Sequence, residues 1–457
     1  MTTKVNTRQI VLDILLEVLE KGNFSHIVMR QALNKYGYLE KKERAFINRL
    51  ANGTIEKAIE LDYIINQFSK TKTTKMKPVI RNILRMTVYQ LKYMDSVPTS
   101  AACNEAVKLA QIKGFHTLKG FINGVVRTIS RNIEQFQTYD SLSLTYSMPE
   151  WLVNYWNTCY GREKTKQILE SMTSEYSHQE ICVRCNLSNC DLDTIIASLQ
   201  AQDVCVRIHP QLPFVLYLSQ YDYLEGLEAF VNGWIQVQDI TSILVGLFTN
   251  PKKDNICIDV CAAPGGKSLH LADLLEHSGM VESRDLTYDK VSLIEENIER
   301  SKFTNIKATV WDATVLDEAM IGKADIVIAD LPCSGLGIIS NKPDIKYSMT
   351  KEKMDDLATL QRQILEIVQQ YVKEDGILIY STCTINPEEN EKNIQWFLNQ
   401  FPFELCSDLE STNVPKELFD DSEFAMLTEK GYVQLFPNKK HATGFFIAKL
   451  KRKNNKN

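Results

Sequence analysis

Apolar periodicity changes once along this chain, and that change limits the fold more than any other feature. Through about the first 135 residues, apolar positions repeat at helical spacing. From Ile256 onward, short apolar runs of strand length alternate with helical stretches. In Thr7 to Leu19, for example, Ile10, Ile14, Leu15, Val18 and Leu19 fall on one stripe. Similar stripes recur in 43–58, 79–94, 101–113 and 118–133, parted by breaks such as Ser96-Val-Pro-Thr. The spacing predicts an all-α bundle of about six or seven helices, whose apolar positions are core and carry no catalysis.

After Tyr139 the pattern shifts. Ser147-Met-Pro-Glu-Trp-Leu is expected to start a helix, with Ser147 as its cap and Pro149 in its first turn. Strands are expected over 181–186, 204–209 and from Phe214, with a helix over 192–201, which makes a small α+β module before about residue 245. Cys182-x-x-Cys185 has the spacing of half a zinc site, but Cys190 and Cys205 are isolated and no histidine follows at usable spacing. These are read as strand cysteines, and no metal is expected. In the last part of the chain, strands are expected over 256–260, 280–284, 308–311, 326–329 and 376–380. A final pair, 432–436 and 444–450, flanks Pro437-Asn-Lys-Lys as an antiparallel hairpin. Strand–helix alternation implies a parallel sheet covered on both faces.

Charge separates the two ends of the chain. The net charge is -5, yet residues 1–140 hold 22 Lys and Arg against 12 Asp and Glu, and the remainder holds 30 against 45. A basic module joined to an acidic body suits contact with a polyanion. Lys70, Lys72, Lys75, Lys77, Arg81 and Arg85 occur with no acid between them, and such a run can bind backbone phosphates or simply face solvent. A hydrophobic content of 44% is enough for cores and excludes a disordered chain. No apolar run approaches the roughly 18 residues of a membrane span, and the N-terminus lacks the apolar stretch of a signal peptide. A cytosolic protein is expected, with its eleven scattered cysteines as reduced thiols.

Open α/β sheets bind ligands beyond the carboxyl ends of their strands. The first strand ends in Asp259-Val-Cys-Ala-Ala-Pro-Gly-Gly-Lys-Ser, where Gly265 and Gly266 let backbone approach a ligand at a helix start. A dinucleotide fingerprint and a P-loop both fail on spacing, the second because Cys261 stands where a glycine is required. Asp285 ends the second strand, 19 residues past Gly266, where a carboxylate can accept both hydroxyls of a ribose. Asp312 follows the third strand, Asp330 and Cys333 the fourth, and Cys383 the fifth.

Acids and two thiols along one sheet edge suit a particular chemistry. C5 of a pyrimidine is too weak a nucleophile to take a methyl group directly. A thiolate adding to C6 turns the ring into an enamine whose C5 can attack. An acid near N3 or the carbonyl favours the addition, and a base must later remove the C5 proton so that the thiolate leaves. The bland alternative is that such cysteines are small core hydrophobes, which is how Cys103, Cys159 and Cys257 are read.

Three stretches carry a family resemblance: Asp259 to Ser268, Asp330-Leu-Pro-Cys-Ser-Gly-Leu-Gly, and Ser381-Thr-Cys-Thr-Ile-Asn-Pro-Glu-Glu-Asn-Glu. They resemble the signature motifs of the RNA cytosine-C5 methyltransferases of the NOL/NOP/Sun group. The helical region in front is similar to the antitermination factor NusB, so the likeness to bacterial 16S rRNA members extends over essentially all 457 residues. It implies a multidomain chain: a NusB-like RNA-binding bundle over 1–138, linker helices with a small α+β RNA-binding module over 139–245, and a Rossmann-like class I methyltransferase domain over 246–457. It implies S-adenosylmethionine as cofactor. By motif, Cys383 is implied as the nucleophile and Cys333 as the group that aids product release. Cys261, Ala262, Ala263, Pro264, Gly265, Gly266, Lys267, Asp285, Asp312 and Asp330 are implied to contact the cofactor, Asp330 also facing the base. The chain departs from its relatives at Ser340-Asn341, where paired basic residues are common, and keeps Lys342 and Lys346 nearby. The implied partner is 16S rRNA, naked or in an early small-subunit particle, with no membrane and no obligate protein partner. The alternative is a non-catalytic RNA-binding or antitermination factor with a degenerate sheet domain, against which the retained cysteines and acids speak.

Overall fold

Helices at 7–19, 41–68, 78–93, 99–112 and 119–132 bury the stripes read from the sequence, and a further one spans Ser25–Lys35. The added helix buries only Ser25 and Met29, so its apolar stripe is too thin to stand out. Asn6 caps the first helix through the Arg8 and Gln9 N–H groups at 3.0 and 3.3 Å, and Pro78 opens the fourth. Gly53 is required for packing: a Cβ there would meet ring atoms of Tyr89 at 2.0 Å. The next long helix begins at Glu150 with Pro149 as its N-cap residue. Ser147, expected as the cap, turns its hydroxyl to the Glu60 N–H at 3.3 Å instead.

The computed structural model describes residues 5–173, 180–407, 414–438 and 443–454. They form two compact units, and the first unites the helical region up to residue 173 with a strap, Ile339–Met349, supplied by the C-terminal part of the chain. Asp344 of the strap accepts from the Ser25 hydroxyl, Lys346 Nζ donates to the Glu56 carbonyl at 2.6 Å, and Tyr347 donates to the Ile55 carbonyl at 2.7 Å. Lys346 is only 2% exposed, and burial lowers its pKa to about 7. It is therefore enclosed within the helical unit and not an exposed cation beside Ser340-Asn341.

The second unit begins with a four-stranded antiparallel sheet: β1 (Ile181–Cys185), β2 (Cys205–Ile208), β3 (Val215–Ser219) and β4 (Ile235–Val237), in the order β2-β3-β1-β4. β4 has only three residues, too few for a periodicity signal. Cys182 and Cys185 both lie on β1, and a spacing of three sends them to opposite faces, so they cannot share a metal. This sheet packs on the larger domain through Arg184, whose guanidinium reaches Asp273 at 3.1 Å, and through Arg300, which donates to the Phe230 and Ile235 carbonyls. Those contacts group the module with the larger sheet in one unit.

The larger sheet contains β5 (Ile256–Asp259), β6 (Met280–Asp285), β7 (Ile306–Val310), β8 (Ala324–Asp330), β9 (Val372–Thr382), β10 (Phe403–Leu405), β11 (Tyr432–Leu435) and β12 (Phe445–Arg452). Its order is β10-β12-β9-β8-β5-β6-β7, with β11 also on β12. β5 to β9 are parallel, whereas β12 runs antiparallel to β9 and takes β10 and β11 on its far edge. Lys439 and Lys440 of the expected hairpin turn lie outside the described residues. β9 starts four residues before the expected Gly376, because its exposed Lys373-Glu374-Asp375 stretch crosses a register shift and hides the apolar pattern. Cys103 and Cys257 are buried core, but Cys159 is exposed, one residue before the end of its helix at Tyr160. None of the cysteines is in a disulfide, and among the described residues no helix is long and apolar enough to cross a membrane.

Candidate active site

The strand order places the carboxyl ends of β6, β5, β8 and β9 side by side, so Asp285, Asp259, Asp330 and Thr382 share one edge. Asp330 and Ser381 are direct partners in the register. Each chain then leaves the sheet from the same point, bringing Cys333 and Cys383 together with their sulfurs 3.2 Å apart. The Cys333 thiol is held well above the ordinary thiol range, chiefly by its hydrogen bond to Cys383 and then by burial and by the charges of Cys383 and Glu389.

Asp330 is oriented from two sides. Lys267 Nζ donates to one of its oxygens at 2.7 Å, and the Ser381 hydroxyl donates to the other at 2.7 Å. Burial alone would lower the pKa of Lys267, but Asp330, with Asp259 and the charge of Cys383, outweighs it, and the net shift is upward. Lys267 is therefore an ammonium group paired with Asp330, with Asp259 and Cys383 acting on its charge.

The first loop is built for close backbone approach. Gly265 has φ +101°, a conformation that favours glycine, and Gly266 opens the helix that runs to Leu274. Ala262 donates to the Arg284 carbonyl at 2.8 Å, Ala263 donates to Asp285 at 3.0 Å, and the Ala263–Pro264 bond is cis. Asp285 also accepts from the Leu286 N–H at 2.8 Å and from Lys290 at 2.9 Å, which fixes the carboxylate at the strand end. Leu286 and Tyr288, which follow it, are 57% and 73% exposed and offer apolar surface beside that acid. Asp312 is exposed, and hydrogen bonds from Thr314 lower its pKa. Burial drives the Cys261 thiol far upward, with Asp285, Asp259 and Asp330 adding to the shift. It is inert as a nucleophile and belongs to the loop's packing.

Asp259 was legible as a strand end, but its role was not. Burial raises its pKa to about 7 against the Ser268 hydroxyl at 2.7 Å, and its Oδ1 is buried without a partner. An orphaned carboxyl oxygen under a glycine turn, flanked by a strand-end acid and an exposed apolar pair, fits a ligand with a ribose and a cationic group. Gln361 and Glu389 were also missed; both are fully buried between the two cysteine loops.

The basic run divides in two. Lys70, Lys72, Lys75 and Lys77 are exposed. Arg81 instead pairs with Glu20, and Arg85 pairs with Asp62 at 2.6 Å, both half-buried within the helical unit. The two arginines hold helices together, so only the lysines remain available to phosphates.

Comparison with known proteins finds relatives along nearly the whole chain. Residues 247–451 match the family model for 16S rRNA methyltransferase RsmB/F, residues 5–131 the NusB family, and residues 148–222 the ferredoxin-like domain of RsmF/B-like methyltransferases. A probable ribosomal RNA small subunit methyltransferase B of Bacillus subtilis is 32% identical, with 98% of this chain and 99% of the relative covered. One from Synechocystis is 30% identical over 98% of this chain and 100% of that protein. Among solved structures, PH0851 superposes with a TM-score of 0.81 at 25% identity, covering 99% of this chain and 100% of that one. NSun6 from Pyrococcus horikoshii with SFG shares the fold, with a TM-score of 0.58 at 23% identity over 67% of this chain and 99% of that one.

Proposed function

The chain belongs to the ribosomal RNA small subunit methyltransferase B family, and on that premise we propose that it methylates C5 of a cytidine in 16S rRNA through a covalent bond from Cys383 to C6. The observation that carries this reading is the pair of thiols, 3.2 Å apart on neighbouring strand ends beside Asp330. S-adenosylmethionine supplies the electrophilic methyl group when bound, and Asp285, Asp312 and residues 261–267 are the groups that would hold it.

The protein's own steps follow from the site. The target base leaves its stack to reach the sheet edge. The Cys383 thiolate adds to C6, and the electron pair moves toward N3, where a proton shared with Asp330 favours the addition. Lys267 holds that carboxylate in place through its hydrogen bond, and the proton that the Cys383 thiol gives up in forming the thiolate is the one delivered to N3. C5 then takes the methyl group and still carries its hydrogen. Cys333 is suited to remove that proton at this stage. The first cause of its high pKa is Cys383 itself; once Cys383 is a neutral thioether that cause is gone, and Cys333 gives its own proton to solvent and then takes the C5 proton as a thiolate. Removal of the C5 proton restores the ring and expels Cys383.

Cofactor binding is tested at Asp285. A carboxylate accepting ribose hydroxyls makes charge-assisted bonds, so Asp285→Ala should weaken S-adenosylmethionine by about tenfold or more in calorimetry. Unchanged affinity would mean that another acid holds the ribose. RNA binding is tested at the exposed lysines. Changing Lys72, Lys75 and Lys77 together to Glu should raise the RNA KM and flatten its salt dependence while leaving cofactor affinity alone. A KM and salt slope equal to those of the parent would leave the run as a solvated face.

A further inference from the structure

We propose that Glu389 is a positioning residue that clamps the loop of Cys333 against the loop of Cys383 and so sets the separation of the two thiols. The proposal rests on the two-thiol reaction above and adds what holds that pair in place. Glu389 is 0% exposed, yet its carboxylate meets four donors. One oxygen accepts the Ser334 N–H at 2.9 Å and Gln361 Nε2 at 2.9 Å. The other accepts Asn386 Nδ2 at 2.8 Å and the Ser334 hydroxyl.

Ser334 directly follows Cys333, and both of its polar groups are thus spent on one carboxylate. Because an ionised carboxylate cannot donate, the Ser334 hydroxyl donates to it and accepts from Thr384 Oγ1 at 2.7 Å. Thr384 directly follows Cys383. A chain of hydrogen bonds therefore runs from the residue after one thiol, through Ser334, to Glu389. The other flank of Cys333 is held as well, since Gln361 Nε2 also donates to the Pro332 carbonyl at 2.8 Å. The orientation of Gln361 is fixed by Asn393 Nδ2 at 2.8 Å and the Tyr380 hydroxyl at 3.2 Å on its carbonyl oxygen.

Only a carboxylate satisfies this arrangement. Glu389→Gln would put an amide NH2 against groups that themselves donate, and the buried network would part at its centre. The four bonds of the Glu389 carboxylate go to residues beside the thiols and to neither sulfur, so it positions the pair through those residues, while its charge also raises the Cys333 pKa.

The test uses the full-length protein and the variants Glu389→Gln and Ser334→Ala. The first readout is the rate at which diamide, taking two hydrogens, joins Cys333 to Cys383 in a disulfide mapped by mass spectrometry. The second is trapped enzyme–RNA complex after incubation with S-adenosylmethionine, with Cys333→Ala as reference. Loss of a hydrogen bond to a charged group should slow cross-linking about tenfold or more in Glu389→Gln. Trapped complex should rise, while the cofactor Kd and the RNA KM stay near those of the parent. Cross-linking at the parental rate in a variant that still binds cofactor overturns the clamp. Should Glu389→Gln lose cofactor binding, Ser334→Ala removes the hydroxyl link alone and decides by the same readouts. If cross-linking slows but no variant traps RNA, Cys333→Ala included, the clamp stands and the two-thiol reaction falls. If Cys333→Ala traps RNA and Glu389→Gln changes neither readout, the clamp falls by itself.

Discussion

Cys383→Ala is expected to abolish methyl transfer, lowering turnover by at least about a thousandfold, with S-adenosylmethionine bound as before. The size follows from the chemistry: without a nucleophile on C6 the ring never becomes an enamine, and the neighbouring Cys333 thiol is assigned to proton removal. Cys261 has the same functional group, but it is enclosed and surrounded by acids that oppose its ionisation. Cofactor affinity is preserved because the loop around Gly265 and the carboxylate of Asp285 are held by backbone and Lys290, with no contribution from Cys383. Single-turnover assays with labelled cofactor, paired with calorimetry, check both halves. Turnover comparable to the parent would remove Cys383 from the nucleophile's role.

Cys333→Ala should produce the opposite failure. Cys383 still adds to C6 and the methyl group still transfers, but the C5 proton leaves slowly and the enzyme stays bonded to methylated RNA. A thioether survives denaturation, so the complex should run as a slower band in denaturing electrophoresis and require S-adenosylmethionine. The variant lacking both cysteines should give no band. Were Cys333 only a packing residue, the variant would lose stability and trap nothing. A band in Cys383→Ala but not in Cys333→Ala would exchange the two roles while leaving the sheet-edge site intact.

The elements that carry the site were legible because short apolar runs end abruptly in polar motifs. β5, β6 and β8 each stop at an acid, and the glycine pair and the two Cys motifs stand out locally. What stayed hidden depends on partners distant in sequence. Arg81 and Arg85 read as phosphate ligands until Glu20 and Asp62, 61 and 23 residues away, were brought beside them. Glu389 lies within the third signature stretch, but its role was hidden, since Ser334 lies 55 residues from it and Gln361 28. Lys346 looked like a loop cation because nothing local reveals that its segment is built into the helical unit. Three-residue strands such as β4 and β10 are stabilised by their neighbours and leave no period to read.

The central claim is that this protein makes 5-methylcytidine in 16S rRNA, and the nucleoside product tests it most directly. Purified enzyme is incubated with methyl-tritiated S-adenosylmethionine and 16S rRNA, either naked or in a small-subunit particle, and the digested RNA is resolved by chromatography. The account predicts label in 5-methylcytidine at a single position, absent when Cys383→Ala replaces the parent. Label in a ribose-methylated or N-methylated nucleoside, or label undiminished by Cys383→Ala, would contradict it.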